Sequence, residues 1–296
     1  MLAMLWPSAA LWITAVLLTG RAEAQYSSDQ CSWRGSGLSH ESHRRDVEQV
    51  YLRCSQGSLE WLYPTGAIIV NLRPNTELSW RHTAGVHVCI KPQPYSQGSH
   101  VYLEHKGDLQ MLLAEEDQVL GTVRCFSLAG GALFVEAIPQ TDISRRITAF
   151  QYELVPVQGP GAHMYPYLNP ASVSCKPCAD EEILMAVCTS DFAGSGMFRG
   201  VASTNKHTLL VVTLSRLFHQ KSGVFVWGGV RGRGWSGRMN IPRHCSRLPG
   251  QDEYLLTGSI HFGEAWLSCA PLYKDFLRLY TKALKMGTNP CQIDIN

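Results

Sequence analysis

Ten cysteines constrain the fold of this 296-residue chain more than any other feature of its sequence. Their even number is what a complete set of disulfides requires, and their density is far below that of a mini-protein held together by disulfides alone. Hydrophobic residues make up 45% of the chain and charged residues 17%, which is typical of globular proteins and not of disordered ones. The length suits two domains. We therefore predict hydrophobic cores that disulfides reinforce.

The first 24 residues indicate an oxidising destination for these cysteines. Residues 11–18 form an apolar run that is too short to cross a bilayer, and the small-residue pattern Ala22-Glu23-Ala24 follows it. We predict a signal peptide over residues 1–24, although its start lacks the usual Lys or Arg, and a mature chain that begins at Gln25. No later segment has the ~20 apolar residues of a membrane span. We expect the protein to be secreted and extracellular, without membrane insertion.

A proline-rich segment divides the mature chain. Residues 156–174 have no periodic apolar pattern, and proline-rich stretches of this kind are extended and make poor core. The prolines are Pro156, Pro160, Pro166 and Pro170. We predict a linker there, between a first domain at residues 25–155 with four cysteines and a second at residues 175–296 with six. Both counts are even, as two separately cross-linked domains require, and the pairings within each domain stay open at this point.

The two predicted domains carry opposite charges, which the formal total of +2 conceals. Residues 25–155 contain 14 acidic and 11 basic residues, a net charge of −3, whereas residues 156–296 contain 9 acidic and 14 basic residues, a net charge of +5. Asp and Glu are absent from residues 192–251, which contain nine Lys or Arg residues. The small total charge gives no reason to expect nucleic acid as a partner.

The segment Arg231-Gly-Arg-Gly-Trp-Ser-Gly-Arg238 suits a polyanion. Guanidinium groups pair bidentately with sulfate or phosphate oxygens, and glycines leave the backbone free to adapt. Outside the cell the abundant polyanion is a sulfated glycosaminoglycan such as heparan sulfate. The candidate polyanion-binding residues are Arg231, Arg233, Arg238, Arg243 and Arg247. The alternative is a solvated loop with scattered arginines, and the nearby Trp227 and Trp235 suit either a binding surface or a core.

Short β-branched or aromatic segments separated by Gly and Pro predict a mainly β chain. The predicted strands of the first domain are residues 67–72, 101–104, 132–138 and 149–155, and their spacing favours an antiparallel sandwich. In the second domain we predict strands at residues 209–214 and 254–257. Two helices are also predicted there, one after the acidic residues 180–182 and one with an apolar stripe through Phe276 and Tyr280 that ends at Gly287.

The cysteines and other candidate catalytic residues of the sequence are better explained by structural roles than by catalysis. Cys175-Lys-Pro-Cys178 has the spacing of a thioredoxin-type redox motif, but no βαβ framework precedes it. A zinc site with Cys175, Cys178, Cys188 and a histidine is conceivable by spacing, yet disulfides are the commoner fate of cysteines in a secreted chain. The sequence contains no GxSxG elbow and no P-loop. We therefore expect no enzyme activity, no metal and no cofactor.

The cysteine arrangement of the second domain resembles an NTR (netrin) module. The residues that carry this resemblance are Cys175-x-x-Cys178, Cys188-Thr-Ser-Asp-Phe192, Cys245, Tyr254-Leu-Leu-Thr-Gly258, Cys269 and Cys291. It implies an OB-like β-barrel with flanking helices and the disulfides Cys175–Cys245, Cys178–Cys269 and Cys188–Cys291. The first domain is similar to a CUB sandwich, through Leu59-Glu-Trp-Leu-Tyr-Pro64 and Phe150-x-Tyr152. That similarity implies the disulfides Cys31–Cys54 and Cys89–Cys125.

Segments from both domains further resemble the meteorin family. They are Gln25-Tyr-Ser-Ser-Asp29, Cys31-Ser-Trp-Arg-Gly-Ser-Gly-Leu38, Val47-Glu-Gln-Val-Tyr-Leu-Arg-Cys54, Glu60-Trp-Leu-Tyr-Pro-Thr-Gly66, Asn71-Leu-Arg-Pro-Asn-Thr76, Cys188-Thr-Ser-Asp-Phe192, His261-Phe-Gly-Glu264 and Asn289-Pro-Cys291. The resemblance implies a secreted, hormone- or cytokine-like signalling protein that acts through a cell-surface receptor. It also implies roles in energy expenditure and fat browning, in anti-inflammatory signalling, and in neurotrophic or glial and axonal development.

Two departures from the module patterns bear on function. Calcium-binding CUB domains have an Asp where this chain has Pro92, so a calcium cage is not expected. TIMP-type NTR inhibitors chelate a protease zinc through the free α-amino group of their first cysteine, whereas the nitrogen of Cys175 is an amide inside the chain. The alternative function is a matrix- or heparan sulfate-binding modulator of extracellular enzymes or growth factors.

Overall fold

The computed structural model describes residues 27–28, 31–39, 47–73, 85–139, 144–156, 177–204, 207–228, 234–245 and 250–295. Within these ranges the strands are β1 (Ser27–Ser28), β2 (Ser32–Ser36), β3 (Glu48–Leu52), β4 (Gln56–Leu62), β5 (Ala67–Leu72), β6 (Val86–Pro92), β7 (Ser99–His105), β8 (Asp108–Leu113), β9 (Arg124–Ser127), β10 (Ala132–Ala137), β11 (Ile147–Pro156), β12 (Phe192–Ser203), β13 (His207–Gln220), β14 (Phe225–Trp227), β15 (Trp235–Pro242), β16 (Tyr254–His261) and β17 (Glu264–Cys269). The helices are α1 (Glu115–Val119), α2 (Asp180–Thr189) and α3 (Tyr273–Met286).

Strands β1 to β11 form two sheets, with the orders β1-β2-β4-β11-β6-β9 and β3-β5-β10-β7-β8. Alternating residues of both sheets are buried in one shared core, because successive side chains of a strand point to opposite faces. From the first sheet Trp61 and Tyr152 enter this core, and from the second sheet Val70 and Val135 do. We call this part, residues 27–156, the sandwich half.

Most strand pairs of the sandwich half are antiparallel, as the sequence predicts, but two pairs are parallel. β2 runs parallel to β4, and β3 runs parallel to β5. The chain visits the two sheets in turn from β2 to β5. β4 therefore lies beside β2 in the first sheet, and β5 lies beside β3 in the second sheet. In each pair the later strand runs in the same direction as the earlier one. Alternation of side chains does not report strand direction, so the sequence pattern could not predict these two pairs.

Strands β12 to β17 form a closed barrel. Their order is β13-β12-β16-β17-β15-β14, and β13 also pairs with β15, so five strands close on themselves and β14 extends the sheet beyond β15. Glycines allow the long strand β12 to bend, since a Cβ at Gly196 would lie 2.4 Å from the carbonyl oxygen of Thr213. The barrel interior contains Phe192, Val212 and Met239. We call residues 177–295 the barrel half.

Helices α2 and α3 pack on the outside of the barrel. Ile183 and Val187 of α2 and Phe276 and Tyr280 of α3 form a separate buried cluster that includes Leu255 of β16. α3 ends at Gly287, whose φ of 68° is the left-handed conformation that glycine tolerates. The expected fold, a β-sandwich followed by a β-barrel with flanking helices, is confirmed. The predicted boundaries of the linker and the domains stay a prediction, since residues 157–176 lie outside the described ranges.

Candidate functional site

Four disulfides have both of their cysteines within the described ranges and reinforce the two halves. They are Cys31–Cys54, Cys89–Cys125, Cys178–Cys269 and Cys188–Cys291, the same pairs that the CUB and NTR resemblances imply. The first links the residue before β2 to the connection between β3 and β4, and the last two fix both ends of α2. Cys245 is also disulfide-bonded, but Cys175 lies outside the described residues. The pair Cys175–Cys245 therefore stays a prediction.

The disulfides decide against two chemical alternatives. Cys178 is bonded to Cys269 and not to Cys175, so the redox motif lacks its internal disulfide. Cys178 and Cys188 are both oxidised and cannot be thiolate ligands of zinc. The described part of the chain contains no group of three or more His, Cys, Asp or Glu side chains that could hold a metal ion. The cysteines thus serve the fold in this structure.

The predicted polyanion-binding residues are only partly within the described ranges. Arg238 and Arg243 are described and exposed, whereas Arg231, Arg233 and Arg247 lie outside those ranges. Arg238 lies near the middle of β15 and Arg243 directly after that strand, five positions further on. At about 3.3 Å per residue their backbones are separated by about 17 Å. The two arginines therefore suit a long ligand chain rather than a single anion.

Arg238 belongs to a mixed basic and apolar face of the barrel. Its register partner on β13 is Val211, which is 39% exposed and in turn pairs with Gly200 of β12. The exposed Arg199 directly precedes Gly200, at a register irregularity of β12. Among the described residues neither arginine forms an ion pair. We call this surface, Arg199, Val211, Val226 and Arg238, the basic barrel face. Trp227 borders it at the end of β14, with its side chain on the same side of the sheet as Trp235.

The two tryptophans near this face have different environments. Trp227 of β14 and Trp235 of β15 are register partners, and their rings meet edge to face with centroids 5.6 Å apart. Trp235 packs against the barrel core, whereas Trp227 is 59% exposed. The neighbouring Val226 is 62% exposed. From the sequence, each tryptophan suited either a core or a binding surface. In the structure Trp235 packs on the core and Trp227 lies on the surface.

Two tyrosines have shifted pKa values. Burial raises the pKa of Tyr273 at the start of α3. The charge of Glu253 raises this pKa further, whereas the charge of Arg216 lowers it. Burial also raises the pKa of Tyr102 in β7, and the carboxylate of Glu136 raises it further. Both hydroxyl groups are therefore neutral near pH 7 and able to donate hydrogen bonds.

A contact between the two halves was not predicted from the sequence. The hairpin that joins β16 and β17 reaches β6 and β11 of the sandwich half, where Phe262 is buried with Cys89 and Val155. The Nζ atom of Lys91 lies 2.7 Å from Oε1 of Glu264. The sequence marked residues 261–264 as typical of a family but gave them no role. No sequence signal connects them with Glu153 or Lys91, because these partners are more than a hundred positions away.

Comparison with known proteins identifies the family. A family model described as the meteorin-like protein N-terminal domain matches residues 33–163, and one described as the meteorin C-terminal domain matches residues 177–283. The meteorin-like protein of Danio rerio is 57% identical over 293 residues, which cover 98% of this chain and 99% of that protein. The chain belongs to the meteorin family.

Other family members show how far the similarity extends. The meteorin-like protein of Homo sapiens is 49% identical over 278 residues, or 93% of this chain and 87% of that protein. Meteorin of Mus musculus is 38% identical over 291 residues, or 95% of this chain and 96% of that protein. Identity to both meteorin-like proteins is thus higher than to this meteorin, and each alignment spans both halves. The predicted resemblance to the meteorin family is confirmed.

The disulfides and the family fit an extracellular protein, because disulfides persist in oxidising compartments. Within the described ranges no helix is long and apolar enough to cross a bilayer. The predicted signal peptide, residues 1–24, lies outside those ranges. Its presence and its cleavage before Gln25 stay predictions.

Proposed function

We propose that this protein is a secreted, hormone- or cytokine-like signalling ligand of the meteorin family that acts through a cell-surface receptor. The observation that carries the proposal is similarity to meteorin-like proteins over almost the whole chain, through both halves. Disulfides within each half support it, because they suit a protein that must persist outside the cell. The roles that the family resemblance implies are energy expenditure and fat browning, anti-inflammatory signalling, and neurotrophic or glial and axonal development. The mechanism needs surface recognition and neither catalysis nor a cofactor.

The basic barrel face is our candidate for the receptor-binding surface. It combines the exposed Val226 with Arg238, and the exposed Trp227 borders it at the end of the edge strand β14. Trp and Arg are the residue types that contribute most to protein–protein binding energy. The indole of Trp227 rests on Trp235, which in turn packs on the core, so its position is supported from below. A supported aromatic side chain loses little conformational entropy when it binds.

Equilibrium binding to responsive cells tests this function. We expect the purified, disulfide-intact protein to bind them saturably at nanomolar concentration, and Trp227→Ala to weaken binding by at least about tenfold, as for a residue that dominates an interface. Tyr95→Ala is the matched control, because Tyr95 is a similarly exposed aromatic residue (55%) of the sandwich half. Absence of saturable binding by the unaltered protein contradicts the receptor mechanism. Equal effects of the two variants contradict only the assignment of the surface.

A second candidate function is a matrix- or heparan sulfate-binding modulator of extracellular enzymes or growth factors. The observation that favours it is the absence of Asp and Glu from residues 192–251, together with the exposed Arg199 and Arg238 on neighbouring parts of the barrel. With no carboxylates to compete within this segment, its arginines are available to sulfate groups.

Heparin affinity chromatography tests the second function. Charge reversal of Arg231, Arg233 and Arg238 to Glu is expected to abolish retention, and the retention of the unaltered protein is expected to fall steeply with salt because counterions are released on binding. Reversal of Arg34, Arg53 and Lys106 in the sandwich half makes the same charge change and serves as the control. Unchanged retention after the first set of reversals contradicts this function.

A further inference from the structure

The turn between β16 and β17 lies in a contact between the two halves. Phe262 at its tip is 7% exposed and shares a small apolar cluster with Cys89 of β6 and Val155 of β11. The Nζ atom of Lys91 lies 5.9 Å from the centroid of the Phe262 ring, a distance at which a cation is attracted to an aromatic face. A side chain of the barrel half therefore completes a core that residues of the sandwich half begin.

The backbone of this turn suits Asn or Gly better than Phe. His261 and Glu264 are register partners, so Phe262 and Gly263 form a two-residue turn. Their φ angles are 50° and 76°, both positive, as in the type I′ turns that favour Asn-Gly. A positive φ is uncommon for a bulky side chain because its Cβ crowds the backbone. The turn by itself gives no reason for a phenylalanine.

A second turn in the same chain provides the comparison. His105 and Asp108 are register partners in the hairpin of β7 and β8, and between them Lys106 and Gly107 have φ angles of 53° and 91°. The backbone is the same as at the first turn, but Lys106 is exposed. The two turns thus differ in what the first side chain contacts, not in how the chain bends.

Polar groups surround the buried ring of Phe262. The carboxylate of Glu153 accepts a hydrogen bond from the backbone N–H of Phe262, and its Oε2 lies 3.2 Å from Nδ1 of His261. The first turn residue of a two-residue hairpin has no use for its N–H inside the hairpin, so Glu153 satisfies a group that the turn leaves unpaired. Glu264 accepts from Nζ of Lys91 at 2.7 Å and from Nδ2 of Asn240 at 3.2 Å.

Glu153 and Lys91, the residues of the sandwich half that hold the turn, lie on the paired strands β11 and β6. Glu153 is the register partner of Cys89, and Lys91 lies two positions after Cys89 on β6. Cys89 is tied to Cys125 of β9 by a disulfide. The receiving surface is therefore built on three paired strands, two of which a disulfide also joins, and such regular elements hold a site in place better than loops do.

We propose that residues 261–264, the docking turn, are an interaction site whose partner is the sandwich half of the same chain. Phe262 inserts between β6 and β11, Glu153 and Lys91 hold the turn through its backbone and through Glu264, and the barrel is fixed in one orientation on the sandwich. The two halves then present a single rigid surface to any partner. This inference does not depend on the proposed receptor.

Small-angle X-ray scattering of the full-length, disulfide-intact protein tests the docking turn. Phe262→Asn replaces the inserted ring with the residue that the turn geometry favours, so the hairpin stays formed while the contact is lost. We expect the radius of gyration to rise by at least about 10%, because two halves without a fixed interface move relative to one another. Lys106→Asn makes the same kind of change at the matched turn and is expected to leave the scattering curve unchanged.

A second variant, on the sandwich side of the contact, distinguishes loss of the contact from misfolding of the barrel. Glu153→Ala removes the acceptor of the Phe262 N–H without touching the barrel, and we expect the same expansion. Far-ultraviolet circular dichroism is expected to be the same for all four proteins. Expansion of both Phe262→Asn and Glu153→Ala relative to Lys106→Asn supports the proposal. Any other pattern, or a loss of β-structure in both contact variants, overturns it.

Discussion

The hydroxyl group of Tyr280 is expected to fix the chain after α3, and Tyr280→Phe isolates that effect. The ring of Tyr280 is fully buried between α2 and α3, so phenylalanine preserves the apolar packing. Its Oη atom donates to the carbonyl oxygen of Cys291 at 2.9 Å and accepts from the backbone N–H of Ile293 at 2.8 Å. The substitution therefore removes two hydrogen bonds. The carbonyl oxygen of Cys291 still accepts from Nδ2 of Asn289 at 2.8 Å, whereas the N–H of Ile293 loses the hydroxyl as its acceptor.

The magnitude follows from these two bonds. A net contribution of about 1 kcal/mol for each gives a loss of about 2 kcal/mol in the free energy of unfolding, or about a 30-fold change in the unfolding equilibrium. The disulfide Cys188–Cys291 remains and keeps the segment close to α2, so we expect destabilisation without loss of the fold.

Denaturant unfolding followed by fluorescence and circular dichroism measures this loss. Tyr95→Phe is the control, because Tyr95 is 55% exposed and substitutions at such positions change stability by less than about 0.5 kcal/mol. A loss for Tyr280→Phe that is no larger than that of the control contradicts this prediction. It would show that Nδ2 of Asn289, which also donates to the carbonyl oxygen of Cys291 at 2.8 Å, and water already satisfy these backbone groups.

Two further predictions concern the fold. Gly258→Ala is expected to destabilise the barrel by about 3 kcal/mol, the upper end of the usual cost of overpacking, because its Cβ would lie 1.9 Å from the carbonyl oxygen of Trp266. Thermal unfolding should show this loss and no change for Gly85→Ala, where nothing lies within 4 Å of the added atom, and similar melting of the two variants contradicts it. Peptide mapping without reduction should recover Cys175–Cys245 beside the four disulfides of the structure, and a disulfide that joins the two halves would refute the division into separately cross-linked domains.

The sequence predicted the fold best where one physical requirement decides the local structure. Residues 67–72 form β5 with the predicted bounds, because their β-branched residues favour a strand. In the structure Ile68, Val70 and Leu72 form its buried face. α3 ends at Gly287 because only a residue tolerant of a positive φ suits that position. In each case a short segment carries all the information that the structure uses.

Elements that depend on distant partners were missed. β12 contains three glycines and is not periodic, so it does not look like a strand. In the barrel those glycines are required, since at Gly194 an added Cβ would lie 2.7 Å from the carbonyl oxygen of Arg216 on the neighbouring strand. The parallel pairs of the sandwich half depend on the path of the chain between sheets, which no local pattern records.

The candidate site was predicted by residue type and not by placement. Glycines and arginines identified the segment that ends at Arg238, but only the inward position of Met239 shows that Arg238 points outward. Trp227 and Trp235 looked equivalent until their register and burial separated them. From the sequence alone the docking turn looks like an ordinary hairpin turn. Its partner Glu153 lies on β11, more than a hundred residues earlier in the chain.

Photo-crosslinking from Trp227, at the border of the basic barrel face, tests receptor binding by this part of the barrel. A photoreactive amino acid replaces Trp227 in one preparation and Tyr95 in the other, and each protein is irradiated on responsive cells. We expect a discrete adduct with a cell-surface protein from position 227, suppressed by excess unlabelled protein, and no such adduct from position 95. An adduct from position 95 alone, or from neither position while the protein is bound, would contradict it.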